Sequence, residues 1–322
     1  MNNINHFIDL PDVPPQILKA ILKNAHMMKR NKFAPPQIFA GLSLAMVFDK
    51  RSTRTRMSFE VAMKQLGGHV ITMNAEEMQI TGAESIEDTA QVLSRFVDAV
   101  MIRMSNHAAL VELSKYAKIP VINGLTDHSH PCQIMADLMT IEEKLGNIQG
   151  KKIAWLGDYN NVARTFEQAA PVFGFELVLA APEEILSSSR RKPGSSGQTD
   201  KYPGLRRDDV KLVTDPAEAA ENADVIVTDT WVSMGQEGKT TALFEPYQVT
   251  MDLMKRAKPH ALFMHCMPIH RGEEVTDEVL ASKHSVIYDE AENRLHAQKS
   301  ILAWCLKNAG VHIQQSLFEF AA

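Results

Sequence analysis

The chain has 322 residues, 45% hydrophobic and 23% charged, with a formal net charge of −5. That is the composition of a globular protein long enough for two ordinary domains, and it excludes collagen, coiled coil and wholesale disorder. The weakly acidic balance argues against a general nucleic-acid binder, and no run approaches the roughly 18 apolar residues of a membrane span. The opening residues, Met1 to His6, lack the basic and apolar pattern of a secretory leader. Three scattered cysteines, Cys132, Cys266 and Cys305, make no disulfide framework and point to a reducing, cytoplasmic setting.

In chain order, residues 42–48 (LSLAMVF) read as a buried strand. Phe59, Ala62, Met63 and Leu66 then mark one face of a helix that Gly67-Gly68 stops. Residues 69–73 are strand-like. Ser85 to Asp88 form a capping box opening a helix with apolar positions Ile86, Ala90, Leu93 and Val97. Strand 99–103, a helix near 107–117 and strand 119–123 follow. Ile134, Leu138, Ile141 and Leu145 mark a further helix, ended by Gly146. A second series starts at 151, with strands KIAWLG, ELVLAA, VKLV, DVIVTD, ALFMHC and SVIYD. Helices are expected near 161–173, 216–222, 246–257 and 276–282, with a long last helix from about 291. Residues 187–208, rich in Ser, Gly, Pro and charge, read as a mobile surface loop. Strands alternating with helices give an α/β fold class: two doubly wound parallel-sheet domains. The break at Gly146 and Gly150 divides residues 1–147 from 148–290, and the last helix, within 291–322, is expected to pack back on the first domain.

Ligands of such sheets bind beyond the carboxyl ends of the strands, so the segments after the strands are where chemistry is expected. Ser52-Thr53-Arg54-Thr55-Arg56 follows the first strand and opens a helix. Free N–H groups and the helix dipole favour an anion there, and Arg54 adds a planar fork suited to phosphate. An ordinary Ser cap followed by solvated arginines is the bland alternative. His128-x-His130-x-Cys132 offers imidazole and thiolate at alternating positions, with His265, Cys266 and His270 as further zinc ligands. Loop histidines beside a half-buried thiol are the plainer reading. Gly157-Asp158-Tyr159 follows a strand, yet Tyr159 occupies the second glycine position of a dinucleotide fingerprint, which argues against a nicotinamide enzyme.

Four segments together carry a resemblance. Ser-Thr-Arg-Thr-Arg (52–56), His-Pro-Cys-Gln (130–133), Asp-Thr-Trp-Val-Ser-Met-Gly (229–235) and His-Cys-Met-Pro (265–268) resemble the signature set of the transcarbamylases. Asp229 with Ser233-Met234-Gly235 resembles the ornithine-specific branch. Met267 departs from the usual leucine, a volume-conserving change. The resemblance implies carbamoyl transfer from carbamoyl phosphate to the side-chain amine of L-ornithine in arginine metabolism, in a cleft between a carbamoyl-phosphate domain and an ornithine domain. It places phosphate on Ser52, Thr53, Arg54, Thr55 and Arg103, and the carbamoyl end near His130, Pro131, Cys132 and Gln133. Cys266, Met267 and Arg294 complete that pocket, and Gln79 resembles a loop residue that also contacts this substrate, from the same or a neighbouring subunit. Asn161, Asp229, Ser233 and Met234 match the ornithine set. Arg54, Arg103, His130, Asp229 and Cys266 are the residues implied to carry the reaction. No metal or other cofactor is implied, and the assembly implied is a homotrimer or a multiple of trimers, with no nucleic acid and no membrane. Beside this stand a relative acting on putrescine or an acylated ornithine, a zinc hydrolase built on His128 and His130, and a non-catalytic binding protein.

Overall fold

Short apolar runs, each the length of a strand, build two separate sheets. The protein is described by a computed structural model over residues 4–50, 52–75, 84–190, 210–232 and 241–307, side chains of 188–190 excepted. It divides into two compact units, one formed by the residues up to Met139 with those from Glu292 on, the other by Thr140–Ala291. The first unit runs α1 (Pro15–Arg30), β1 (Ser43–Phe48), α2 (Thr53–Gln65), β2 (His69–Asn74), α3 (Ile86–Phe96), β3 (Ala99–Arg103), α4 (His107–Tyr116) and β4 (Val121–Leu125). The chain leaves it within α5 (Pro131–Leu145). The second unit holds β5 (Lys152–Leu156), α6 (Asn161–Phe173), β6 (Glu176–Ala180), α7 (Glu183–Arg190), β7 (Val210–Val213) and α8 (Pro216–Ala220). It continues with β8 (Val225–Thr228), α9 (Met251–Met254), β9 (Leu262–His265) and α10 (Asp277–Ala281), and the chain leaves it within α11 (Ile287–Leu306).

Strand order is β2-β1-β3-β4 in the first sheet and β7-β6-β5-β8-β9 in the second. Every ladder among the described residues is parallel. Parallel strands need helical crossovers, which cover both faces, and β1, β3, β5 and β8 are accordingly buried almost throughout. Chain direction across each sheet reverses at one place: between β1 and β3 in the first, between β5 and β8 in the second. The loops leaving such a pair of strands splay apart and open a crevice.

Several expectations change. SVIYD is not a strand: Ser285 bridges Phe263 alone, and α11 begins at Ile287. Asp289 and Glu290 in its first turn favour a helix N-terminus, and a short apolar run does not distinguish strand from helix start. The helix expected over 246–257 is two short pieces. Pro246 sits in a 3₁₀ turn, Ala242–Tyr247, and Thr250 starts α9 by accepting a hydrogen bond from Leu253 N–H at 3.3 Å. Residues 187–190 continue α7, and 191–209, the bulk of the expected loop, lie outside the described residues. The fourth strand starts at Val121, after Pro120, which has no N–H to give a ladder.

His296 on α11 is 1% exposed. Burial, with help from Lys299 and Lys29, holds its ring down from 6.5 to about 4. Between those values the unfolded chain binds a proton that the folded chain refuses, so stability is full above about pH 6.5 and falls as pH drops toward 4. One such group contributes a slope approaching about 1.4 kcal/mol per pH unit. His296→Leu is expected to flatten the pH dependence of unfolding free energy, measured by urea titration over that window, by about one proton. An unchanged slope would mean that the ring titrates alike in both states.

Candidate active site

In the first unit the crevice between β1 and β3 collects cations. Asp49, directly after β1, accepts from Ser105 N–H at 2.6 Å and so ties the two strand ends together. Ser52 then caps α2 with extended backbone, and its hydroxyl makes no bond to its own helix. Thr55, one turn in, is buried, and its hydroxyl oxygen accepts from Arg103 at 3.1 Å and from Arg294 at 3.2 Å. Arg294 also donates to Gln133 Oε1, whose amide donates in turn to Asp137 at 2.8 Å. That chain fixes both guanidiniums, although β3 and α11 supply them from positions 191 residues apart in sequence. His130 is buried beside them. Burial, then Arg294, Arg103 and Arg54, push its pKa well below 6.5, so it is a neutral imidazole at physiological pH. Three guanidiniums and a helix N-terminus with a neutral ring among them are suited to a small anion.

In the second unit the crevice between β5 and β8 collects acceptors. Gly157 leaves β5 at φ +124, a backbone region closed to side chains, and lets the chain turn toward α6. Asn160 caps α6 through Oδ1, which accepts from Val162 N–H at 2.9 Å and Ala163 N–H at 3.1 Å. That orients its amide, and Nδ2 donates to Asp229 Oδ2 at 2.7 Å. Asp229, just past β8, also accepts from Thr230 N–H at 2.8 Å and from the Cys266 thiol at 3.2 Å, both through Oδ1. Asn161, half-buried, opens α6 beside this group. At the end of β9, His265 Nδ1 accepts from Met267 N–H at 2.8 Å, so Nε2 carries the hydrogen and donates to Glu274 at 3.1 Å. Met267 is held at φ +60, a strained setting for a side chain with a γ carbon. The carboxylate with its fixed donors suits an ammonium or amine ligand.

Comparison with known proteins finds two family domains along the chain. Residues 5–143 match the family model described as the aspartate/ornithine carbamoyltransferase, carbamoyl-P binding domain. Residues 149–305 match that of the Asp/Orn binding domain. The chain belongs to the aspartate/ornithine carbamoyltransferase family. It is 52% identical over 316 residues to an ornithine carbamoyltransferase of Brucella abortus, covering 96% of this chain and 98% of that one. Among solved structures it is similar to ornithine carbamoyltransferase from Pyrococcus furiosus, at 46% identity and TM-score 0.83, covering 93% and 96% of the two chains. It is also similar to the anabolic enzyme of Campylobacter jejuni, at 35% identity and TM-score 0.86, covering 94% and 99%.

Against the family signature, the structure gathers Thr55, Arg103, Gln133 and Arg294 by hydrogen bonds, and Arg54 and His130 by charge. Ser52 is half-buried and Thr53 exposed at the same helix start. Pro131 is the first residue of α5. Cys132 stands apart: its thiol, pushed up to about 12 by burial, donates to Asn123 O at 3.3 Å and packs under the loop. Asp229 and Cys266 meet directly, and Met267 follows in the strained turn. Gln79, Ser233 and Met234 lie outside the described residues. The zinc set on His128, His130 and Cys132 does not assemble: His130 sits among guanidiniums, Cys132 bonds a backbone carbonyl, and the His128 ring stacks 4.6 Å from His107. Sequence reasoning missed Asn160 as the partner of Asp229, and His265 with Glu274 as the brace of the Met267 turn. An Asn at a helix start directly after a strand is the signal for the first. The second has none, because Glu274 reaches His265 across a turn that no local pattern encodes.

Proposed function

We propose that the protein transfers the carbamoyl group of carbamoyl phosphate to the side-chain amine of L-ornithine, giving L-citrulline and phosphate. The observation that carries this reading is the pairing of two different receptors, one per unit, each at the reversal point of its sheet. The first takes an anion with a carbonyl; the second takes an amine. Arg54, Arg103, the α2 N-terminus, Ser52, Thr53 and Thr55 hold the phosphate, and Arg294 with Gln133 fixes the carbamoyl end. Neutral His130 donates to the carbonyl oxygen as negative charge builds there. The amine nitrogen bonds to the carbamoyl carbon, the carbon–oxygen bond to phosphate breaks, and the departing phosphate takes up the amine proton. Asp229 and Asn161 orient ornithine through its amino and carboxylate groups, with Ser233 and Met234 assigned to the same ligand by family likeness. Cys266 holds Asp229 and lines the amine site. This chemistry uses no metal or other cofactor. Arginine biosynthesis is the pathway role that follows, since citrulline is the product.

A homotrimer, or a multiple of it, is supported by apolar side chains exposed on the first unit: Met57 on α2, Ile71 on the edge strand β2 and Phe96 on α3. Gln79 of one copy would then serve the site of another. A cytoplasmic setting is supported by three free cysteines, two of them buried. No helix among the described residues is long and apolar enough to cross a membrane.

The substrate assignment is tested by kcat/KM for ornithine, putrescine and N-acetylornithine at saturating carbamoyl phosphate. Putrescine lacks the carboxylate and the acetylated analogue lacks the α-ammonium; each missing charge-assisted hydrogen bond costs about 1.5–3 kcal/mol, roughly 10–10²-fold. Ornithine is expected to lead both by at least that margin. Parity with either analogue would move the protein to a sister specificity.

A further inference from the structure

His128 and His107 belong to no part of the reading above, yet the fold brings them together with Asp9 from far along the chain. Asp9 lies in the N-terminal segment, His107 opens α4, and His128 lies in the loop after β4. Their ligand atoms all fall within 4.8 Å of one another. Asp9 Oδ2 and His107 Nε2 stand 3.3 Å apart. That is long for a charge-assisted hydrogen bond, normally about 2.7–2.9 Å. It equals the edge of a tetrahedron whose ligands lie about 2.0–2.1 Å from a central zinc, about 3.3 Å. The imidazole centroids of His107 and His128 lie 4.6 Å apart with the rings tilted by 42°.

The surrounding contacts are those a metal site needs. The other oxygen of Asp9 accepts from the Ser129 hydroxyl, and His107 Nδ1 lies 3.0 Å from Thr126 Oγ1. Outer partners of this kind hold a ligand carboxylate and fix a ligand ring. Asp9 is 5% exposed while both histidines are half-buried, so a cation reaches the group from one side and keeps an open position for water.

We propose that Asp9, His107 and His128 form a binding site for a zinc-class divalent cation, separate from the catalytic receptors, that cross-links the N-terminal segment to the loop carrying His130. Two imidazoles and one carboxylate select borderline metals such as Zn²⁺ or Co²⁺ over Mg²⁺ and Ca²⁺. Thr126, His128, Ser129 and His130 share that loop, so the ion stiffens the approach to His130 without touching the reacting atoms.

The test uses the full-length chain carrying Cys266→Ser, which removes the thiol from a second group in the other unit, Asp229 with His265 and Cys266. Zn²⁺ alone is titrated calorimetrically into this chain and into the same chain with His128→Asn or Asp9→Asn. About one Zn²⁺ is expected to bind per chain, with affinity falling at least about tenfold in each variant. Zinc is expected to raise the Tm of the parent and not that of His128→Asn, whose metal-free melt is unchanged because the side chain is a half-buried loop residue. Co²⁺ is expected to give d–d absorption with no thiolate charge-transfer band. Absence of zinc binding in the parent, equal affinity in all three chains, or a zinc-induced Tm shift that survives His128→Asn overturns the site.

Discussion

Arg54→Lys is expected to lower kcat about 10²–10³-fold while leaving the melting temperature where it was, the loss typical of removing one preorganised donor from an anion site. Arg54 is half-buried in the first turn of α2, between Ser52, which caps the helix, and Thr55, which anchors Arg103 and Arg294. Lysine keeps the charge but presents a point cation where a planar fork is needed, so the substitution is not conservative here. The Thr55 hydroxyl, the scaffold of the other two guanidiniums, is untouched, and helix propensity barely changes. Steady-state kinetics beside a thermal melt checks the claim. Turnover near wild type would remove Arg54 from the receptor; a matching collapse of Tm would make it a structural residue.

Asp229→Asn is expected to reduce kcat/KM for ornithine about 10²–10³-fold and to leave the equilibrium affinity for carbamoyl phosphate alone nearly unchanged. Three donors, Asn160 Nδ2, Thr230 N–H and the Cys266 thiol, converge on the two carboxylate oxygens. Asparagine offers one oxygen and one NH₂, so one side of this arrangement becomes donor against donor, at about 1–3 kcal/mol for the unsatisfied group. The amine also loses its counter-charge. Both effects fall on the ornithine receptor, because the three donors to Asp229 all belong to the second unit. Kinetics with ornithine and calorimetry with carbamoyl phosphate separate the two. Equal losses would show that Asp229 supports the fold and not the amine.

Much of this was legible in the sequence because parallel strands are buried on both faces and read as apolar runs. β1, β3 and β7 fall within a residue of the runs that mark them. Ser85 accepts from Asp88 N–H, as its capping box requires. Segments that owe their shape to tertiary context were not legible. Val286 and Ile287 are as apolar as a strand needs, yet they enter a helix because Asp289 and Glu290 follow them. α1, with Leu18, Ile21, Leu22, Ala25 and Met28 buried at helical spacing, lies ahead of the first element the sequence analysis assigns, although its pattern and Pro15 at the first turn would have marked it.

The site divides along the same line. Residues proposed to contact ligand sit in compact motifs, so Ser52 to Thr55, His130, Gln133 and Asp229 stand out. Residues that hold them are remote partners: Asn160 for Asp229, Glu274 for His265, Asp9 for His107. Spacing carries no information about a contact between positions 69 or 98 residues apart. His128 shows the converse error, since a metal reading based on spacing paired it with His130 and Cys132, whereas the fold pairs it with Asp9 and His107.

The most direct measurement is the joint appearance of citrulline and inorganic phosphate when the purified full-length protein is given carbamoyl phosphate and L-ornithine, followed in the same sample by colorimetry for each product. One citrulline is expected per phosphate released, with both rates falling together to background when ornithine is withheld or when Arg54→Lys replaces the wild-type chain. Phosphate release without citrulline, or release at the same rate in the absence of ornithine, would contradict carbamoyl transfer to the amine.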